Sequence, residues 1–258
     1  MKKLIHFLPL CIAVLSFTGL TSCKTNYLLK EDFSADVIGS PPAKDIVGSP
    51  TGDMIRYSNA LIPRLAVQAS TVTAGAKALV LSEAPITATS AADGYLSCDG
   101  PAADLSKSTR FEWTAKHRKS TGTLLIDAYG PQLLWITRLY LRPDGQLIRI
   151  VDVAKGIDDP KNELLCRLDI TKPHTVFITL NREEPKTIKA TGHTYSISVF
   201  NDAQGNMFSR QGLPVLFEPD LKSGVGNDGK MTLTFGYKPE STNADYAYVF
   251  ERINIVQL

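Results

Sequence analysis

Cysteine is scarce in this 258-residue chain, which has four: Cys11, Cys23, Cys98 and Cys166. None stands in C-x-x-C spacing, and the four histidines are scattered without an H-E-x-x-H pair, so no zinc-type ligand set is present and no metal is expected. There is no Gly-x-Ser-x-Gly elbow and no Gly-x-x-x-x-Gly-Lys-Ser/Thr phosphate loop, so neither a serine hydrolase nor a nucleotide-binding enzyme is signalled and no cofactor is implied. The chain also lacks a basic excess. Of its 28 basic residues, Lys2 and Lys3 lie before Cys23, leaving 26 against 26 acidic ones in the remainder. A nucleic-acid-binding domain shows a basic patch or stripe, so nucleic acid is not expected as a partner. No stretch keeps a 3.6-residue apolar period, which argues against a helical fold. Nor does any apolar run reach the roughly 20 residues that span a bilayer.

What is present is alternation. From about Met54 onward, short segments of alternating apolar and polar residues are separated by Gly, Pro, Asn and Asp. The pattern predicts strands over 65–72, 77–82, 109–117, 123–129, 133–142, 146–153, 163–169, 174–181, 193–201, 231–238 and 246–258. Many short strands joined by turns are the signature of a sandwich or barrel. Arg142-Pro143-Asp144-Gly145-Gln146 is the clearest turn, with proline presetting φ and glycine open to positive φ. It predicts an antiparallel hairpin.

Period-two alternation also sorts side chains by face. Phe111, Trp113 and Ala115 share one face, as do Leu124, Ile126 and Ala128, and Leu133, Trp135, Leu139 and Leu141. Both tryptophans are therefore expected in the core. Arg110, Glu112, Asp127, Tyr129, Arg138, Tyr140 and Arg142 fall on the opposite faces and form the candidate ligand-binding surface. On such a surface tyrosines stack on sugar rings while arginines and carboxylates hydrogen-bond hydroxyls. A solvated sheet face with cross-strand ion pairs is the simpler alternative.

The first 22 residues have a different character. Lys2 and Lys3 precede an apolar run, Leu4–Leu15, which contains Pro9 and gives way to small and polar residues. This is the make-up of a secretory signal. Its end, Leu20-Thr21-Ser22-Cys23, resembles the lipobox of bacterial lipoproteins. The resemblance implies cleavage before Cys23 and lipidation of that cysteine with diacylglycerol and a further acyl chain such as palmitate. Several chains together suffice for stable anchoring. Lys24, where aspartate would signal inner-membrane retention, implies the outer membrane. The absence of an acidic cluster after Cys23 favours a periplasm-facing position over the cell surface. With Cys11 removed in the signal and Cys23 lipidated, an oxidising compartment permits a disulfide between Cys98 and Cys166, two separate thiols being the equal alternative.

Residues 24–51 are rich in Gly, Ser and Pro and read as a flexible spacer. Within them, however, Glu31-Asp32-Phe33-Ser34 followed by Val37-Ile38-Gly39-Ser40-Pro41-Pro42 resembles the opening of concanavalin A-like (laminin-G-like) domains of bacterial envelope proteins. Phe250-Glu251-Arg252-Ile253-Asn254-Ile255 resembles their closing strand. The resemblance implies an all-β fold, an antiparallel β-sandwich of the jelly-roll, concanavalin A-like type, with its first and last segments paired. It divides the chain into a signal (1–22), a lipidated tether (23–30) and a sandwich (31–258). Such domains commonly carry an aspartate where Arg252 stands. Arginine there predicts an ion pair with Glu31 or Asp32 rather than an oxygen cage for calcium.

Laminarinase-like members of this class hydrolyse β-glucans with Glu-x-Asp-x-x-Glu on one strand. The nearest match, Glu218-Pro219-Asp220, ends in Ser223 and is interrupted by proline. A cross-strand pairing of Glu112 with Asp127 is the remaining arrangement for two-carboxylate chemistry, although outward acids without a catalytic role explain both residues more simply. The expectation is a lipid-anchored envelope protein with a non-catalytic carbohydrate- or cell-wall-binding sandwich and a polysaccharide ligand. The alternatives are a divergent glycoside hydrolase or lyase, or a structural subunit of an envelope complex.

Overall fold

The structure is a computed structural model that describes residues 25–43, 54–57, 65–82, 95–104, 106–117, 122–130, 134–181, 193–201, 206–216, 230–239 and 247–258. The signal segment, Cys23 and Glu218-Pro219-Asp220 lie outside the described residues. Fifteen strands are described: β1 (Asn26–Glu31), β2 (Met54–Tyr57), β3 (Leu65–Ala69), β4 (Lys77–Ser82), β5 (Tyr95–Ala102), β6 (Thr109–His117), β7 (Gly122–Tyr129), β8 (Trp135–Leu141), β9 (Gln146–Arg149), β10 (Glu163–Arg167), β11 (His174–Leu180), β12 (Thr194–Asn201), β13 (Asn206–Pro214), β14 (Lys230–Pro239) and β15 (Ala247–Gln257).

They form two antiparallel sheets. The eight-stranded sheet runs β13-β12-β11-β6-β15-β4-β3, with β1 also pairing β15; the seven-stranded sheet runs β10-β9-β8-β7-β14-β5-β2. Alternate residues of both sheets meet in one core, where Phe111, Trp113, Ile126, Leu139, Ile178, Ile197, Phe235 and Phe250 are completely buried. The antiparallel β-sandwich expected from the alternation is the fold the chain adopts.

The two ends of the described chain are joined. β1 lies antiparallel to the second half of β15, from Asn26 opposite Gln257 to Glu31 opposite Ile253. The first half of β15 pairs β4, from Ala247 opposite Ser82 to Phe250 opposite Leu79. Between these halves Glu251 is an extra residue in the register with β6, where Phe250 faces Ala115 and Arg252 faces Thr114. Such a bulge bends the strand and re-aims its side chain.

The acidic pair at the start closes a turn. Glu31 Oε1 accepts from the Phe33 backbone N–H at 2.5 Å, and Asp32 Oδ1 accepts from that of Ser34 at 3.0 Å. This holds Phe33 at φ 58°, which drops its fully buried ring into the core. Arg252 does not pair with these acids as the sequence suggested. Its Nε donates to Thr114 Oγ1 at 3.1 Å and lies 3.9 Å from Glu112 Oε1.

Two further expectations change. Asn26–Lys30, placed in the tether, belong to β1, so the sheet begins three residues after Cys23. The Gly-Ser-Pro-Pro run is not a loose spacer either: Gly39 N–H donates to the Val67 carbonyl and Val67 N–H to the Ser40 carbonyl, both at 2.8 Å. The Cys98–Cys166 disulfide is ruled out by topology. β5 and β10 stand five strand steps apart in the seven-stranded sheet. At about 4.8 Å per step the separation is about 24 Å, far beyond the roughly 7 Å limit for bridged Cα atoms. Both residues remain thiols, and burial pushes that of Cys166 up to about 11.

Candidate functional site

The residues proposed as one surface are divided between the two sheets. Arg110 and Glu112 are on β6 in the eight-stranded sheet; Asp127 and Tyr129 on β7 and Arg138 and Tyr140 on β8 are in the seven-stranded sheet. Each set points away from the shared core, so the two lie on opposite outer faces. Glu112 and Asp127 therefore never meet, and the two-carboxylate arrangement is lost.

On the seven-stranded face, β7 buries Leu124, Ile126 and Ala128 completely and turns Asp127 and Tyr129 outward. Asp127 stands opposite Arg138, and Leu125 opposite Tyr140. A bulge then intervenes: Ala128 faces Thr137 but Tyr129 faces Trp135, leaving Ile136 as the extra residue. The parity of β8 reverses across that bulge. Ile136 and Leu134 point into the core, while half-buried Trp135 joins Arg138 on the outside. Trp135 is thus not a core residue, contrary to the alternation; Trp113 is.

The bulge assembles a compact array. Arg138 grips Asp127 with two parallel bonds, Nε to Oδ1 at 2.8 Å and Nη2 to Oδ2 at 2.7 Å. Trp135 Nε1 donates to the same Asp127 Oδ1 at 3.2 Å. The Tyr129 and Trp135 rings stack with centroids 5.5 Å apart, and the Arg138 guanidinium lies 4.6 Å from the Trp135 ring centroid. Each contact fixes the next. The carboxylate orients the guanidinium, which covers the indole, whose N–H returns to the carboxylate. Such cation–π and aromatic contacts contribute about 0.5–1.5 kcal/mol each.

Burial, helped by the Asp127 charge, pushes the Tyr129 phenol up to about 12, so it stays a neutral hydrogen-bonding group at any physiological pH. Burial also raises Tyr140, with Arg138 opposing. For Arg138 burial acts to lower the pKa, but its bonds to Asp127 and the carboxylate charge outweigh that and the net shift is upward. Held by two parallel bonds, Asp127 and Arg138 act as positioning groups for the two rings. Tyr140 is buried on the same face, opposite Leu125 on one side and Ile148 on the other. Arg142 lies past the end of β8 and bonds Asp158 at 3.1 Å, apart from the array.

On the other outer face Glu112 is buried in a network of its own. Arg110 Nη2 lies 3.1 Å from its Oε2, and Asn254 Nδ2 donates to its Oε1 at 2.7 Å. Arg110 also covers the Phe177 ring at 5.1 Å. This carboxylate is consumed by the sheet surface rather than offered to a ligand.

No family model matches the chain, and no curated protein matches it. Among solved structures it is similar to a sialidase (TM-score 0.48, 16% identity, 89% of this chain and 18% of that one). It is also similar to the Emp47p carbohydrate recognition domain (TM-score 0.44, 14% identity, 84% and 94%) and to the lectin UEA-II complexed with galactose (TM-score 0.41, 11% identity, 79% and 92%). The chain spans less than a fifth of the sialidase's length. At these TM-scores the likeness stays at the level of the two-sheet sandwich and brings no ligand with it.

Proposed function

We propose that this chain is an exported, lipid-anchored envelope protein whose sandwich is a non-catalytic carbohydrate-binding module. The observation that carries the reading is the Tyr129–Trp135 pair, held on an outer sheet face by a guanidinium and a carboxylate. Sugar rings present flat C–H faces edged with hydroxyls. A rigid aromatic pair offers an apolar surface for the former at low entropic cost, and the phenol and the remaining guanidinium N–H groups serve the latter. The separation of Glu112 from Asp127 removes the acid pair on which a hydrolase reading rested. Anchoring rests on the lipobox-like Leu20-Thr21-Ser22-Cys23, followed within three residues by the first strand.

The test is affinity electrophoresis of the full chain through gels containing β-glucan, xylan, mannan, pectin or peptidoglycan. Retention by at least one polymer is expected, with Trp135→Ala weakening it roughly tenfold, as expected for loss of one well-packed aromatic contact. Absence of retention by every polymer, or retention indifferent to a combined Tyr129→Ala and Trp135→Ala change, defeats the proposal. In the producing cell, labelled palmitate should enter the wild-type chain and not Cys23→Ser.

A further inference from the structure

Cys23 stands three residues before Asn26, the first residue of β1. An extended chain covers at most about 3.6 Å per residue, so their Cα atoms are within about 11 Å of each other. Acyl chains on Cys23 lie in the bilayer. The end of the sandwich that holds Asn26 is therefore kept at the lipid surface.

Three segments meet at that end. Asn26 pairs Gln257 near the close of β15, and Tyr27 pairs Val256. The connection from β5 to β6 is clasped to the same place. Asp104 N–H donates to Gln257 Oε1 at 2.9 Å, Gln257 Nε2 donates to the Asp104 carbonyl at 3.1 Å, and Leu258 N–H donates to the Ser108 carbonyl at 2.8 Å. At the far end of β6, His117 N–H donates to the Ile170 carbonyl at 2.8 Å, beside the turn that carries exposed Lys172. The nine residues of β6 set the two ends about 27 Å apart.

The side chains at the β1 end suit a boundary between water and lipid. On β15, Ile253 and Ile255 point into the core, so Val256 and Leu258 belong to the outer face, and Tyr27 with them. Tyr27 and Leu258 are diagonal neighbours there, and both are about half exposed. The Lys30 ammonium lies 5.9 Å from the Tyr27 ring centroid, and Lys107, more than half exposed, is 3.9 Å from Asp104. Tyrosine settles at the headgroup level of a bilayer, and a lysine stem lies along apolar surface while its ammonium reaches the phosphates. Two half-exposed side chains are too little to hold a free protein on a membrane. Here the anchor supplies the association, and this corner has only to select which way the sandwich stands.

We infer that the corner formed by Tyr27 and Leu258, flanked by Lys30 and Lys107, is a docking surface that seats on a phospholipid bilayer. It holds the β1 end down and the His117 end away. The inference rests on the lipid-anchored reading of Cys23 and does not depend on the aromatic array.

Its test takes the acylated chain from the producing cell into vesicles of phosphatidylcholine brominated at the shallow acyl carbons. Tyr27→Trp and Lys107→Trp each add an indole at the corner, and Lys172→Trp adds one at the far end. Trp113 and Trp135 of the wild type set the background. The emission added by each corner variant should fall by about half, since side chains seated about 5–10 Å into the headgroup and acyl boundary meet the bromines. That added by Lys172→Trp should be unquenched. Equal quenching in all three variants, or none in the two corner variants, overturns the inference. So does crosslinking of the corner to a second copy in place of quenching. Labelled palmitate on the wild-type chain then still upholds the anchor, whereas a wild-type chain without palmitate overturns both.

Discussion

The two tryptophans differ in what surrounds them, and the difference sets what each substitution costs. Trp113 is completely buried, edge-on to Phe235 at 5.6 Å, with its Nε1 donating to the Tyr248 hydroxyl at 3.2 Å. Trp113→Ala is expected to destabilise the fold by about 3–5 kcal/mol, the usual range for a buried aromatic. Trp135 lies on the outer face, stacked on Tyr129 and Arg138, so Trp135→Ala should cost about 1 kcal/mol. Urea unfolding midpoints of the two variants check the contrast, and a large loss for Trp135→Ala would contradict its outward placement. Residue identity alone could not separate them. Along β8 both Leu134/Ile136 and Leu139/Leu141 are apolar, so either parity supplies a core face. Only the bulge at Ile136, a two-strand register property, decides that Trp135 faces out.

Strands whose alternation was strong were legible. β4 and β6 have the bounds the pattern gave them, and the turn at Arg142–Gln146 forms with Gly145 at φ 82°, its N–H donating to the Arg142 carbonyl at 3.0 Å. β1, β5 and β13 were not legible. β1 mixes Asn, Lys and Glu beside the signal, β5 buries the polar Ser97 and Asp99 along with Leu96 and Cys98, and β13 is an edge strand carrying Gly212 and Pro214. Sheet membership was hidden as well, because alternation says which side of a strand is apolar and not which sheet the strand joins. That is why Arg110 and Glu112 were grouped with residues on the far side of the molecule.

One junction between elements invites measurement. Arg149 on β9 is buried where the sheet edges meet: its Nε donates to the Tyr195 hydroxyl at 2.7 Å, Nη2 to the Pro214 carbonyl at 3.0 Å, and Nη1 lies 3.2 Å from Glu163 Oε2. Glu163→Ala should destabilise by about 3 kcal/mol by leaving a buried guanidinium short of its counter-charge, whereas Arg149→Met with Glu163→Leu should recover most of that loss. Chemical denaturation of the single and double variants checks this.

For the whole molecule, the core holds a polar pocket that makes stability depend on pH. His174 Nε2 and the Tyr248 hydroxyl are 3.0 Å apart, and the His117 ring sits edge-on to Tyr248 at 4.6 Å. Burial lowers His174 to about 4, and burial together with the neighbouring His174 charge holds His117 well below its ordinary value. Both are neutral in the fold and accept protons readily once unfolded, so acid favours the unfolded chain. Their contribution is complete above about pH 6.5 and is lost as the pH falls toward 4, about 3 kcal/mol for His174 alone. Unfolding free energies across that window should fall steeply, and His174→Gln should flatten the slope.

The position of β15 has a consequence in time as well as in space. It lies between β6 on one side and β4 and β1 on the other, in the middle of the larger sheet, yet it is the last of the fifteen described strands to leave the ribosome. The first strand must wait for the last, and β6 lacks one of its two neighbours until then. Pairings so distant in sequence form slowly. A nascent chain with this topology therefore holds the larger sheet in two unjoined parts, β6 with β11–β13 and β3 with β4, until β15 is made.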